Sequence, residues 1–290
     1  DARVLHHYLL YTFPVGGGLA DGSIVPGIGM HIGESMVAGW APGGTPVVLT
    51  WHPDGLEALF TADPDTFAPG TAEALAAIVG RGSLFLQQGA EHRRIRKLLM
   101  PPFHGERMRA YAASIRRTAV ARARARPVGL SAPILELAQG ITLDVILEAV
   151  FGARDAAEVT RLHAEILAIV DAFNPLVATF KVFQRRFFGV GPWARLQDRA
   201  ATLHASLRSL IEARRATPGD DVLSLLLAAR DEEGRGLDDG ALIEQLVTFV
   251  VAGHETTATT LAWAMYELHR HPTALAKLRA ELAAAADQPP

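Results

Sequence analysis

From Asp238-Asp239 to Pro272 the sequence keeps one helical period, with acidic residues at the start and a proline at the stop. Roughly thirty residues at 1.5 Å each span about 45 Å, enough to cross a whole domain, so this helix sets the size of whatever fold contains it. A helix of that length ordinarily buries an unbroken apolar face. Here Val251-Ala252-Gly253-His254-Glu255-Thr256-Thr257 interrupts it with a glycine, a carboxylate and two hydroxyls at one level. Gly costs roughly 1 kcal/mol relative to Ala inside a helix, and Thr is a mediocre helix former. The cluster therefore needs a compensating reason, either close packing or chemistry at the helix surface.

Phe249, Ala252, Gly253, Thr256 and Thr260 share one face by their i, i+3, i+4, i+7 spacing. Ala252 and Gly253 supply no bulk, so a flat ligand can lie close to the backbone there. Thr256 can bond the carbonyl of Ala252 and loosen the helical ladder, since a hydroxyl competes for the i−4 acceptor. His254 lies about 200° round the helix from Ala252 and is read as a packed or hydrogen-bonded histidine. His254-Glu255 opens like a zinc-protease pattern, but Ala258 stands where the second histidine is needed. The plain alternative for the whole cluster is a small-residue helix crossing with a satisfied threonine and a salt-bridged glutamate.

A second stretch, Glu91 to Phe103, carries His92 and Arg96 one helical turn apart. That spacing puts both side chains on one face, about 6 Å apart. The planar fork of Arg suits a carboxylate and never loses its charge. Pro101-Pro102 ends this helix.

Together the two stretches resemble the cytochrome P450 monooxygenases. Ala252, Gly253, Glu255, Thr256 and Thr257 match that family's oxygen-binding motif, Ala/Gly-Gly-x-Asp/Glu-Thr-Thr/Ser. His92 and Arg96 match its helix beneath the haem, where an aromatic or His precedes Arg by four residues and both reach a propionate. The resemblance runs from Thr45 to about Leu282, placing a partial P450 domain at residues 45–290. It implies a mainly α fold with a long central oxygen-binding helix and a small β element near the N-terminus. It also implies haem b, O2, and electrons from NAD(P)H delivered through a ferredoxin or flavoprotein.

The implied reaction inserts one oxygen atom into an apolar small molecule, in a soluble bacterial type of protein that is a monomer when intact. Thr256 and Glu255 would handle the protons of oxygen–oxygen cleavage. His92 and Arg96 would anchor a propionate, while Leu84, Phe85, Phe103, Ala252, Gly253, Thr256 and Thr257 would lie against the cofactor. Phe249, Ala252 and Phe173 would meet substrate, with Phe180, Phe183, Phe187 and Phe188 falling where the family places its lid. Arg93, Arg94 and Lys97 would face an acidic electron donor.

Composition bears on what is excluded. Hydrophobic residues make up 49% of the 290 and the net charge is −3, which gives no basic bias toward nucleic acid. The arginines at 116, 117, 122, 124 and 126 lack interleaved aromatics and read as a solvated helix face. The apolar run from Leu246 meets His254 and Glu255 before the ~18 uncharged residues of a membrane span. No secretory signal is evident, so a cytoplasmic location is expected.

The chain has no cysteine. That excludes disulfides and thiolate metal sites. It also leaves out the axial thiolate of a P450, which the family carries downstream of the oxygen-binding helix after a Glu-x-x-Arg pair. The 290 residues are accordingly expected to correspond to the N-terminal two-thirds of such a protein and not to hydroxylate alone. An exposed apolar surface is expected to accompany the missing portion.

Residues 1–44 match poorly, with ten glycines between Gly16 and Gly44 and only Asp21 and Glu34 as acids there. Beyond them the pattern predicts a strand at Pro46–Thr50, a short helix at Asp54–Thr61 and a turn at Asp63–Phe67. An apolar loop is expected at Ser83–Leu86. Helices follow over Arg107–Arg126, Ile134–Phe151, Trp193–Arg215 and Val222–Arg230, with a solvated loop at Asp231–Gly236. Two rivals remain. One is a non-catalytic helical fragment without ligand. The other is a helical terpene cyclase, whose Asp-Asp-x-x-Asp metal cluster fails here because Leu242 follows Asp238-Asp239.

Overall fold

A computed structural model describes residues 32–33, 36–40, 46–50, 53–63, 73–104, 106–129, 131–153, 155–173, 184 and 190–285. The chain divides into two compact units, Asp1–Ala68 and Pro69–Pro290. In the first, β1 (Ile32–Gly33), β2 (Met36–Trp40) and β3 (Pro46–Thr50) form an antiparallel sheet in that order. Val37 faces both Ile32 and Leu49 in register, and Trp40 faces Pro46. Proline has no N–H to give a ladder and here opens its strand. Helix α1 (Pro53–Thr61) follows. Most of Gly16–Gly44 and of the expected Asp63–Phe67 turn lies outside the described residues.

The second unit is helical. Its elements are α2 (Glu73–Val79), α3 (Gly89–Leu99), α4 (Glu106–Arg124), α5 (Ile134–Ala149), α6 (Ala156–Ala172), α7 (Pro192–Ala216), α8 (Val222–Ala228), α9 (Asp239–Arg270) and α10 (Pro272–Ala285). Side chains start three of them. Asp155 accepts from the N–H groups of Ala157 and Glu158, Asp221 from Ser224 and Asp238 from Ala241, each satisfying donors that a helix start leaves unpaired. Pro101-Pro102 stops α3 and winds Pro101–Phe103 into a single 3-10 turn. Pro272 ends α9 but also opens α10, because the first helical position needs no N–H.

The core is built on the first half of α9. Leu242, Ile243, Leu246, Val247 and Val250 are buried with Leu143, Ile146 and Leu147 of α5, and α6 and α7 add Leu162, Ile166, Leu203 and Leu207. Gly152, at φ +64°, closes the end of α5 in the left-handed region open to glycine. Burial stops near Ala258. Beyond it, Trp263 (45%) and Tyr266 (51%) of α9 are exposed and stacked edge to face, and α10 buries no residue.

Two surface expectations change. Part of the arginine face of α4 is a seam, with Arg117 on Glu148 and Arg122 on Asp144 (2.5 and 2.7 Å), and Arg126 just past the helix on Glu136 (3.6 Å). The Asp231–Gly236 loop is pinned rather than free. Asp231 accepts from the Arg235 N–H (2.7 Å) and from Arg94 of α3 (3.2 Å), while Arg94 also grips Glu91. Burial pushes the Asp231 carboxyl up, but the Arg235 N–H and the Arg94 guanidinium hold it below the usual carboxylate range. Lys97 reaches Glu232 at 3.1 Å.

Candidate functional site

Helix α9 presents its polar interruption at the point where the core ends. Thr256 Oγ1 donates to the carbonyl oxygen of Ala252, the i−4 bond expected of it, and Thr260 Oγ1 donates to Thr256 at 2.8 Å. Both threonines are exposed, whereas Ala252 and Gly253 are half-buried. A methyl group added at Gly253 would lie 3.3 Å from Ile146 Cδ1 of α5. The small size of Gly253 therefore serves the α5–α9 contact.

Glu255 is held from α5. Gln139 Nε2 donates to its Oε1 at 3.0 Å, and His254 Nε2 stands 3.5 Å from the same oxygen, an ion-pair distance without hydrogen-bond geometry. His254 is 1% exposed, and its Nδ1 lies 3.0 Å from Thr142 Oγ1. Burial lowers its pKa, outweighing the pull of Glu255, so the ring is neutral near pH 7. Thr142 Oγ1 also donates to the Gln139 carbonyl at 3.2 Å, so the direction of its contact with Nδ1 follows the tautomer of the ring. The packed, hydrogen-bonded histidine expected from the helical angle is what the structure contains.

Around this level the apolar residues gather unequally. Phe103, just after α3, meets Phe249 of α9 edge to face with centroids 5.3 Å apart. Leu84 is partly buried against the core, while Phe85 is 44% exposed. Phe173 ends α6, also partly buried against the core. Phe180, Phe183, Phe187 and Phe188 lie outside the described residues. On α3, His92 is half-buried and Arg96 exposed. Arg94 and Lys97 are ion-paired, but Arg96 has no ion-pair or hydrogen-bond partner among the described residues. An unpaired guanidinium one turn from an imidazole fits the carboxylate-anchoring chemistry that a haem propionate requires.

Gln139 and Thr142 were not expected from sequence, and neither were Ser83, Glu244, Gln245 and Thr248. The signal that could have found the last two is their position. They sit seven and four residues before Ala252, polar sites on the apolar stripe that leads to it. The Asp-Asp pair is accounted for without metal, since Asp238 caps α9 and Asp239 pairs with Arg215. Among the described residues, no group of three potential ligands could hold a metal ion and no helix is long and apolar enough to cross a membrane.

The cytochrome P450 family description matches residues 35–289. The chain belongs to the cytochrome P450 family. Among its relatives, cytochrome P450 137 of Mycobacterium tuberculosis is 40% identical over 210 residues, which cover 71% of this chain and 44% of that protein. Cytochrome P450 138 of Mycobacterium bovis is 37% identical over 212 residues, 72% of this chain and 48% of its own. The chain thus spans about half the length of the curated P450s it matches. A retinoic acid-bound cyanobacterial P450, CYP120A1, superposes with a TM-score of 0.70 at 22% identity, covering 82% of this chain and 53% of that one. At that identity the likeness shows the P450 fold alone.

Proposed function

We propose that these residues form the oxygen-side and propionate-side helices of a haem monooxygenase that inserts one atom of O2 into an apolar small molecule. The observation that carries this is the Ala252–Thr256 step of α9, half-buried at Ala252 and exposed at Thr256, where a hydroxyl takes up the i−4 carbonyl beside the Phe103–Phe249 pair. Haem b, when bound, supplies the iron that activates O2 with two electrons drawn from NAD(P)H through a ferredoxin or flavoprotein. Arg96 and His92 would hold a propionate, Arg96 through its guanidinium fork. Ala252, Thr257, Leu84, Phe85 and Phe103 would border the cofactor, Gly253 only through its backbone since its Cα faces α5, and Phe249, Ala252 and Phe173 would offer apolar surface to substrate. Thr256 holds a hydroxyl proton at the reacting face, and Glu255, held in place by Gln139, passes protons inward from solvent. The location proposed is the cytoplasm. These 290 residues contain no cysteine and so supply no axial thiolate. Turnover is assigned to a protein of the relatives' length.

Hemin titration of the chain tests the reading. A saturable Soret band is expected, and Arg96→Ala should weaken uptake on the order of tenfold, the worth of a charge-assisted hydrogen bond. No saturable band from a helical, monodisperse chain overturns it. In a protein of full P450 length, Thr256→Ala should uncouple electron consumption from product formation. Unchanged coupling removes Thr256 from its role.

A further inference from the structure

The loop Gly80–Gln88 between α2 and α3 carries Leu84 and Phe85, yet it has no strand or helix to satisfy its backbone. Its own turns satisfy part of it, the Ser83 carbonyl taking the N–H groups of Leu86 and Gln87, and side chains of α9 satisfy more. Gln245 accepts from the Leu84 N–H at 2.9 Å through Oε1 and donates to the Gly82 carbonyl at 2.8 Å through Nε2. Ser83 Oγ and Thr248 Oγ1 are 2.7 Å apart, and Thr248 Oγ1 donates to the Glu244 carbonyl at 2.6 Å. A hydroxyl has one proton, so Thr248 must accept from Ser83, and Ser83 in turn accepts from the Phe85 N–H at 3.2 Å. The result is one directed chain, Phe85 N–H to Ser83 to Thr248 to the Glu244 carbonyl, in which each bond polarises the next. The Glu244 carboxylate also takes the N–H groups of Gly82 and Arg81. A Cβ at Gly80 or Gly82 would overlap that carboxylate, and Gly80 stands at φ +82°, so glycines shape the seat.

Ser83 and Gln245 are fully buried and Thr248 nearly so. Buried polar side chains cost stability unless fully paired, and replacing them with leucine would be the simpler way to fill a core. What they add is a single register. Gln245, Thr248, Ala252 and Thr256 follow one stripe of α9, and Gln245 lies about 10 Å along the axis from Ala252.

We infer that Gln245, Thr248 and Glu244 are positioning residues that clamp the Ser83–Phe85 loop to α9 and so set the shape of the apolar site beside Ala252. The assignment of that site rests on the monooxygenase reading; the clamp itself does not.

Hydrogen exchange and ligand binding together test the inference. In Gln245→Leu, exchange at the Leu84 amide should quicken on the order of tenfold while amides in the middle of α9 keep their protection. Hemin-loaded chain should at the same time lose discrimination between a small azole, imidazole, and a bulky apolar one, phenylimidazole. Ser83→Ala, which cuts only the hydroxyl chain, should do the same at Phe85 and serves if Gln245→Leu does not fold. Unchanged exchange at both amides overturns the clamp. Faster exchange with azole discrimination intact overturns its role in shaping the site. A wild-type chain that takes up no hemin sinks the monooxygenase reading, and the exchange measurement then decides the clamp alone.

Discussion

At the scale of single residues, the motif on α9 serves two masters, and the structure separates them. Thr256 faces outward and Ala252 is half-buried, whereas Gly253 and His254 meet α5. Gly253→Ala gains roughly 1 kcal/mol of helix propensity. It also brings a methyl group to 3.3 Å from Ile146 Cδ1, and overpacking of that kind costs about 1–3 kcal/mol. A net loss of about 1 kcal/mol is expected in urea unfolding. Adding Ile146→Val should recover it, and no recovery would mean that the contact with α5 is not what constrains position 253. His254→Leu tests the neighbouring position. It keeps the bulk but removes one of the two partners of Thr142 Oγ1, which retains the Gln139 carbonyl, so a cost of about 1 kcal/mol is expected. Restoring an apolar match with Thr142→Val should return most of it. Sequence spacing alone showed that His254 turns away from Ala252, because the helical angle needs no tertiary information. That Gly253 belongs to the packing side was not legible, since one stripe at i, i+3, i+4 cannot say which edge meets a neighbouring helix.

At the scale of elements, the joints between helices depend on charged groups that reach across loops. Arg214 of α7 bonds the carbonyl oxygens of Phe151 and Gly152 at the end of α5 and pairs with Asp221 at 3.0 Å, while Asp221 caps α8. One carboxylate thus joins three helices. Asp221→Ala should destabilise by about 3–5 kcal/mol, since it strands a largely buried guanidinium and removes a cap. Asp221→Asn, which keeps the cap oxygen, should cost visibly less. Equal losses in chemical unfolding would show that the pair and not the cap matters. The caps at Asp221 and Asp238 could be read beforehand, because an acid before an apolar run has a local reason to be there. The proline stop after α3 and the glycine at position 152 are local signals of the same kind. Helices α2, α6 and α10 were not foreseen. Short or alanine-rich stretches carry little period of their own, and α6 takes its place from Leu162, Ile166 and Ile169 meeting the core. The arginine seam on α4 was equally invisible, since its acceptors Glu136, Asp144 and Glu148 lie on another helix.

Across the whole molecule, the buried histidines set the response to acid. Burial lowers the pKa of His163, His204 and His254, and each has a buried Nε2 with no hydrogen-bond partner to receive an added proton. A group depressed in the folded state contributes stability above its unfolded value, here the ordinary histidine 6.5, and that contribution is lost as pH falls through the folded value. Glu244 acts with the opposite sign. Burial raises its pKa above the ordinary 4.5, so it contributes stability at low pH that is lost as pH rises through its folded value. Among the described residues Glu91 and Asp231, both depressed, share the sign of the histidines, but their window lies with that of Glu244 in the carboxylate range, while the histidines begin to respond near neutrality. Thermal midpoints should therefore fall between about pH 7.5 and about pH 5.5. Replacing His163 and His204 with glutamine, which removes their titration and the repulsion of His163 on His254, should flatten that fall. Glu244→Gln should leave it unchanged near neutrality and steepen the loss at lower pH, where the favourable protonation is gone. A midpoint that rises on acidification toward pH 5.5 would show that the carboxylates, and not the buried imidazoles, govern how this chain meets acid.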